Sequence, residues 1–161
     1  MKKQDKQKNI TEKIAVVNGN HLEISAKQSI SICKFITGKN PKEMIEKLEK
    51  VIQKRIAIPM HYEIPHRHNM PKGQVSGRYP KNASQIFIKL LKSLMANAAQ
   101  KGLNEKELII FEAQTNKAPR PKRGTRMAYG RKKFKRCHVI IKAKELKMKE
   151  KQKSKPEVKN D

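Results

Sequence analysis

Twenty consecutive residues, 117–136, carry ten Lys or Arg and no Asp or Glu. The cations are Lys117, Arg120, Lys122, Arg123, Arg126, Arg131, Lys132, Lys133, Lys135 and Arg136. They repel one another, and Pro119, Pro121, Gly124 and Gly130 among them permit close backbone approach and discourage a regular element. A segment of this kind cannot fold by burying its own side chains. It needs an anionic mould. Five of the ten cations are Arg, whose planar fork pairs with phosphates and stacks on exposed bases. Tyr129 and Phe134 add stacking surface. A merely solvated face does not fit, because such faces normally mix both signs of charge.

The whole chain leans the same way. Its 161 residues hold 39 Lys and Arg against 14 Asp and Glu, a net charge of +25. A domain so charged repels itself unless a polyanion neutralises it. Nucleic acid, an anionic membrane surface and an acidic protein are the candidates. Hydrophobic residues make up 36%, below the roughly 45–50% usual for globular chains, so part of the chain is expected to be extended outside its complex. No apolar run approaches the ~20 residues that span a bilayer. The basic segment has no bulky apolar face with which to lie on a membrane. The N-terminal MKKQDKQKNITEK has no apolar stretch and does not read as a signal peptide, so a cytoplasmic location is expected. For DNA, neither a recognition helix with its turn nor zinc-finger spacing is visible. An extended basic loop suits the irregular grooves of folded RNA better than a regular duplex.

Periodicity divides the chain. Residues 1–13 form a Lys- and Gln-rich arm. Ile14–Ser25 holds two apolar stretches, IAVV and HLEI, separated by Asn18-Gly19-Asn20, a turn signal. The second alternates like an edge strand, with Leu22 and Ile24 on one side and His21 and Glu23 on the other. The basic arm is accordingly taken as 1–19 and the domain as 20–146. Ser25 and Gln28 fit a capping box that opens a first helix, with Ile32, Phe35 and Ile36 near one face and Gly38 at its end. Asn40-Pro41-Lys42-Glu43 opens a second, whose stripe is Met44, Ile45, Leu48, Val51 and Ile52. Glu43, Glu46 and Glu49 make this the least basic surface, expected to face away from the polyanion. Residues 60–77 read as a loop. A third helix, about Pro80–Lys101, carries Ala83, Ile86, Phe87, Leu90, Leu91, Leu94, Met95 and Ala98, and Gly102 closes it. Glu107–Lys117 and Phe134–Leu146 read as strands. They are most simply the arms of one antiparallel hairpin, 107–146, with a long basic tip. Residues 147–161 form a Lys-rich tail expected to be disordered.

Signs of chemistry are weak. Cys33 and Cys137 have no cysteine neighbours and read as two reduced, partly buried thiols. His61, His66 and His68 lack a second ligand pair, so no metal is expected. Cys137 and His138 adjoin on a strand and point to opposite faces, which keeps the imidazole from the thiol. No carboxylate pair, phosphate-cradling glycine loop or nucleotide fingerprint is present. The expectation is a binding protein with no cofactor, not an enzyme.

Several segments together resemble a known family. Asn116-Lys117-Ala118-Pro119, Arg123, Arg126 and Ala128-Tyr129-Gly130-Arg131 look like the hairpin tip of the universal large-subunit ribosomal protein twenty-two family, in its archaeal and eukaryotic variant (large-subunit protein seventeen in the eukaryotic scheme). Gly77-Arg78-Tyr79-Pro80-Lys81, Asn97-Ala98, Lys101-Gly102-Leu103, Cys137-His138-Val139 and Ser25–Gly38 are also similar to it, so the resemblance covers roughly residues 20–146. Two segments depart from the pattern: the Lys-rich arm replaces an Arg-Tyr-Ser type start, and the loop HYEIPHRHNMPKGQVSG is poorer in Arg and Gly. The resemblance implies an α+β fold, a three-stranded antiparallel sheet packed on three helices with the last two strands extended into a long basic hairpin. It implies a structural constituent of the large subunit, bound to ribosomal RNA and neighbouring proteins. The hairpin tip, Arg123, Gly124, Thr125, Arg126, Met127 and Ala128, would line the peptide exit tunnel beside the nascent peptide. Arg78, Tyr79 and Lys81 would contact RNA at a helix start, and Lys27, Arg67, His68 and Lys72 join the basic hairpin residues and Tyr129 as RNA-binding candidates. The alternative is a free nucleic-acid binder or RNA chaperone, whose purely phosphate-driven affinity would be lost in a high-salt wash.

Overall fold

A computed structural model describes residues 14–60, 77–126 and 130–145. Within them the order is strand β1 (Ile14–Leu22), helices α1 (Ala26–Ile36) and α2 (Pro41–Ile52), strands β2 (Ile58–Pro59) and β3 (Gly77–Arg78), helix α3 (Lys81–Gln100), and strands β4 (Leu108–Lys117), β5 (Lys122–Thr125), β6 (Gly130–Lys133) and β7 (Cys137–Glu145). The main sheet is antiparallel in the order β1-β7-β4. The α+β architecture is the one expected.

Central β7 shows why the layers form. Cys137, Val139, Ile141 and Ala143 alternate into the core and are all fully buried, so one face of the strand must be covered. α3 packs over the β1 side and α1 over the β4 side, while α2 lies against α3. Phe87, Leu91, Leu94 and Ala98 of α3 reach no solvent, and at roughly 1.5–3 kcal/mol per large apolar side chain this helix supplies the centre of the core. Its C-terminus closes in a Schellman arrangement. Gly102 (φ +68°) donates to the Ala99 carbonyl at 2.9 Å, and buried Leu103 donates to Ala98 at 3.0 Å. Asn97 and Lys101 then tie α3 to β1 by donating to the carbonyls of Val16 (2.9 Å) and Ile14 (2.7 Å).

Caps differ between helices as the sequence suggests only in part. Asn40 caps α2, accepting from the Lys42 backbone N–H at 2.9 Å while its amide donates to the Lys106 carbonyl at 3.0 Å. Ser25 occupies the N-cap of α1, but its side chain makes no cap hydrogen bond, so the expected capping box with Gln28 does not form. Gly38 (φ +79°) ends α1 and donates to the Ile110 carbonyl of β4 at 2.7 Å.

Two expectations need correcting. Asn18-Gly19-Asn20 is no turn. β1 runs through it, six of its residues lie in the stretch 14–19 assigned to the arm, and the irregularity is a bulge between Gly19 and Leu22. Gly19 is buried there, where a Cβ would meet Leu22 Cδ1 at 2.8 Å and Leu90 Cδ2 at 3.1 Å, so the glycine serves close packing on α3. Residues 61–76, most of the expected loop, lie outside the described residues; at its two ends Ile58 pairs with Arg78 and Pro59 with Gly77. Most consequentially, the basic segment is not irregular throughout. β5 and β6 pair in register, Lys122 with Lys133 through Thr125 with Gly130. The irregular part is a joint where 118–121, holding both prolines, face 134–136. Proline removes ladder donors, yet Ala118 still donates to the Arg136 carbonyl at 3.2 Å and Phe134 to Pro121 at 3.1 Å. The extra residue on the proline side is absorbed at this joint, and the hairpin continues beyond it.

Candidate nucleic-acid interface

β5 and β6 place like charges opposite each other. Lys122 faces Lys133, and Arg123 faces Lys132 across the ladder. Like charges directly opposite destabilise a sheet by roughly 0.2–1 kcal/mol per pair, and no acid lies in 117–136 to offset them. Lys117, Arg120, Lys122, Arg123, Arg126, Lys133 and Lys135 are exposed. Backbone pairing therefore holds together a strip whose side chains repel, and external anions are what would relieve it.

Arg136 departs from that pattern. It donates to the His21 carbonyl at 2.9 Å and reaches Glu23 Oε1 at 2.6 Å, with its side chain 27% exposed. Instead of standing free for phosphate, it clamps the hairpin base to the end of β1. His138 lies beside this clamp, accepting from the His21 backbone N–H at 3.3 Å with the two rings 4.6 Å apart. Glu23 and His21, on the outer side of the expected strand, were the sequence signal for it, but they are remote in the chain.

Between the hairpin shoulder and the first turns of α1 and α3 lies a groove of about 670 Å³, lined by Arg123, Lys133, Phe134, Lys135 and Arg136 of the hairpin, by Glu23, Ile24, Ser25 and Gln28 at the start of α1, and by Asn82 of α3. Gln28 also borders a second hollow of about 380 Å³ with Lys54, Arg78, Tyr79 and Pro80. Lys27 precedes Gln28 on α1, and exposed Lys81 opens α3. Thus Arg78 and Tyr79 border a hollow that adjoins the hairpin groove through Gln28, while Lys27 and Lys81 are chain neighbours of lining residues and line neither hollow. Neither α1 nor α3 has an acid in its first turn or a side-chain cap, whereas α2 has both. Open N-terminal amides and the positive dipole end favour anions, so these two helices aim compatible ends at the basic face. Glu43, Glu46 and Glu49 are exposed on α2, the helix packed against α3. The sequence marks Ser25 and Gln28 only as a helix start, and nothing local marks Asn82 as lining this groove.

Arg67, His68, Lys72, Met127, Ala128 and Tyr129 lie outside the described residues, as do His61 and His66. For Thr125, Arg131 and Lys132 only the backbone is described. Among the described residues no group of three His, Cys, Asp or Glu side chains could hold a metal, and no helix is long and apolar enough to cross a membrane. Both cysteines are buried and free. Burial pushes the Cys33 thiol up to about 11 and also raises Cys137, against opposing hydrogen bonds to Thr115 and Ser29. Protonated thiols are poor nucleophiles.

A family profile described as ribosomal protein L22p/L17e matches residues 17–143. The large ribosomal subunit protein uL22 of Archaeoglobus fulgidus is 36% identical over 122 residues, covering 74% of this chain and 78% of that protein. The protein of the same name from Methanocaldococcus jannaschii is 37% identical over 122 residues with the same coverage. The one from Neurospora crassa is 31% identical over 123 residues, 74% of this chain and 66% of its own length.

Proposed function

Because the chain belongs to the ribosomal protein L22p/L17e family, we propose that it is a structural constituent of the large ribosomal subunit in the cytoplasm, binding ribosomal RNA through its basic face and hairpin and lining the peptide exit tunnel with the hairpin tip. It is not an enzyme, in keeping with that family. The observation that carries the RNA reading is the like-charged ladder of β5 and β6. A strip that gains its backbone pairing against side-chain repulsion is suited to a place where phosphates converge from both sides. The clamp through Arg136 fixes where the strip leaves the domain, so the distance the tip reaches is set by paired backbone. Arg123, Gly124, Thr125, Arg126, Met127 and Ala128 stand at that end, beside the nascent peptide. Helix α2, the least basic surface, lies away from RNA, toward solvent or a neighbouring protein.

Replacing residues 119–135 by Asn-Gly tests this. Ala118 and Arg136 already share a hydrogen bond, and a two-residue type I′ turn closes such a pair. The shortened protein should fold with near-normal circular dichroism but assemble poorly into large subunits or leave the tunnel wall altered. Subunits assembled at normal yield, with tunnel density unchanged, would refute the reading.

A further inference from the structure

The groove of about 670 Å³ beside the hairpin contains more than phosphate neutralisation needs. Phe134 lines it and keeps 37% of its surface exposed, one of two large hydrophobic side chains so exposed among the described residues. Gln28 and Asn82 stand on the opposite wall, and no side-chain hydrogen bond engages either amide within the described structure. Lys133 and Lys135 flank the ring on the basic side, and Glu23, the one acid in the lining, is engaged by Arg136 at 2.6 Å.

Each part has a different use. An exposed aromatic ring beside cations is a stacking platform for a base. Unengaged amides offer both donor and acceptor to a base edge. Lysines take phosphate without regard to sequence. A regular A-form duplex offers such a wall phosphates, 2′-hydroxyls and minor-groove edges but no unstacked base face, and leaves the ring unused. The volume falls within the range of small-molecule sites, roughly 300–1,000 Å³, and suits one nucleotide.

We propose that this groove takes an unpaired nucleotide of the bound RNA, its base stacked on Phe134, its edge on Gln28 and Asn82, and its phosphate on Lys133 and Lys135. The proposal rests on the RNA-binding reading above. It adds that the RNA presents a base turned out of its helix at this point.

The chain contains no Trp, so Phe134→Trp puts a single indole in the groove. The probes are an RNA duplex with one unpaired nucleotide and the same duplex with that nucleotide removed, bound by the full-length protein at moderate salt. The interrupted duplex should bind about five- to a hundred-fold more tightly, the range typical of one base on one aromatic ring. It alone should quench the indole. Phe134→Ala, with its fold verified by circular dichroism, should erase the preference, and Gln28→Ala should reduce it while leaving the quench. Equal binding of both duplexes with unchanged emission overturns the proposal and leaves RNA binding intact. Binding of neither overturns the RNA reading with it.

Discussion

Reversing one charge in the ladder should move folding and binding in opposite directions. Lys133 lies opposite Lys122, and both are exposed. Lys133→Glu replaces a repulsive cross-strand pair by an attractive one. Each such pair changes stability by roughly 0.2–1 kcal/mol, and exposure holds the ion pair toward the lower part of that range. The swing is then about 0.5–1.5 kcal/mol in favour of the closed hairpin. Such a local gain slows amide exchange in 122–125 about two- to ten-fold, with little change in global melting. Toward RNA the same substitution removes one cation and adds an anion. The slope of log K against log salt should fall in magnitude by roughly 1 to 2, at about 0.7–0.9 per phosphate contact. Lys133→Gln should give about half of each effect. Amide exchange by NMR on the free protein, with fluorescence anisotropy against ribosomal RNA across a salt series, reads both. A variant that loosens the hairpin, or binds RNA with an unchanged salt slope, would refute the reasoning.

Other consequences follow from packing and burial. Leu91→Ala empties a fully buried site in α3 and should lower unfolding free energy by roughly 2–5 kcal/mol in urea titrations. Gly19→Val forces Leu22 and Leu90 apart and should lose about 1–3 kcal/mol by the same measurement. Gly124 has open space around it within the protein, so Gly124→Leu should leave the melting temperature unchanged yet impair incorporation into large subunits, as comparison of free and subunit-bound protein would reveal. The Cys33 thiol is pushed from 9.0 to about 11 by burial. Because the folded value is raised, its contribution is fully present below pH 9 and is lost as pH rises toward 11. The loss is of the order of 3 kcal/mol at about 1.4 kcal/mol per unit, and Cys33→Ala should flatten that part of the stability profile.

Much of this molecule is readable residue by residue. Asn40-Pro41 and the stripe Met44, Leu48, Val51 define α2 because a cap and a 3.6-residue period are local facts. The inward row Cys137, Val139 and Ile141 identifies β7 for the same reason. Asn18-Gly19-Asn20 misleads because a glycine needed for contact with Leu90 looks the same as one needed for a turn. The ladder of β5 and β6 is hidden because side-chain repulsion is visible in sequence and backbone pairing is not. Arg136 reads as one more free cation, since Glu23 and the His21 carbonyl reach it only after β1 and β7 have paired. The groove was the least legible feature. Ser25, Gln28, Asn82 and Phe134 come from three separate stretches, and only the crossing of α1, α3 and the hairpin brings them together.

A density map of large subunits carrying this chain addresses the central claim most directly. Rigid paired strands from Leu108 to Glu145 should be enclosed by RNA along β5 and β6, with Gly124 at the tunnel wall and the glutamates of α2 turned away from RNA. A hairpin standing in solvent, or RNA lying along α2 with β5 and β6 bare, would contradict it.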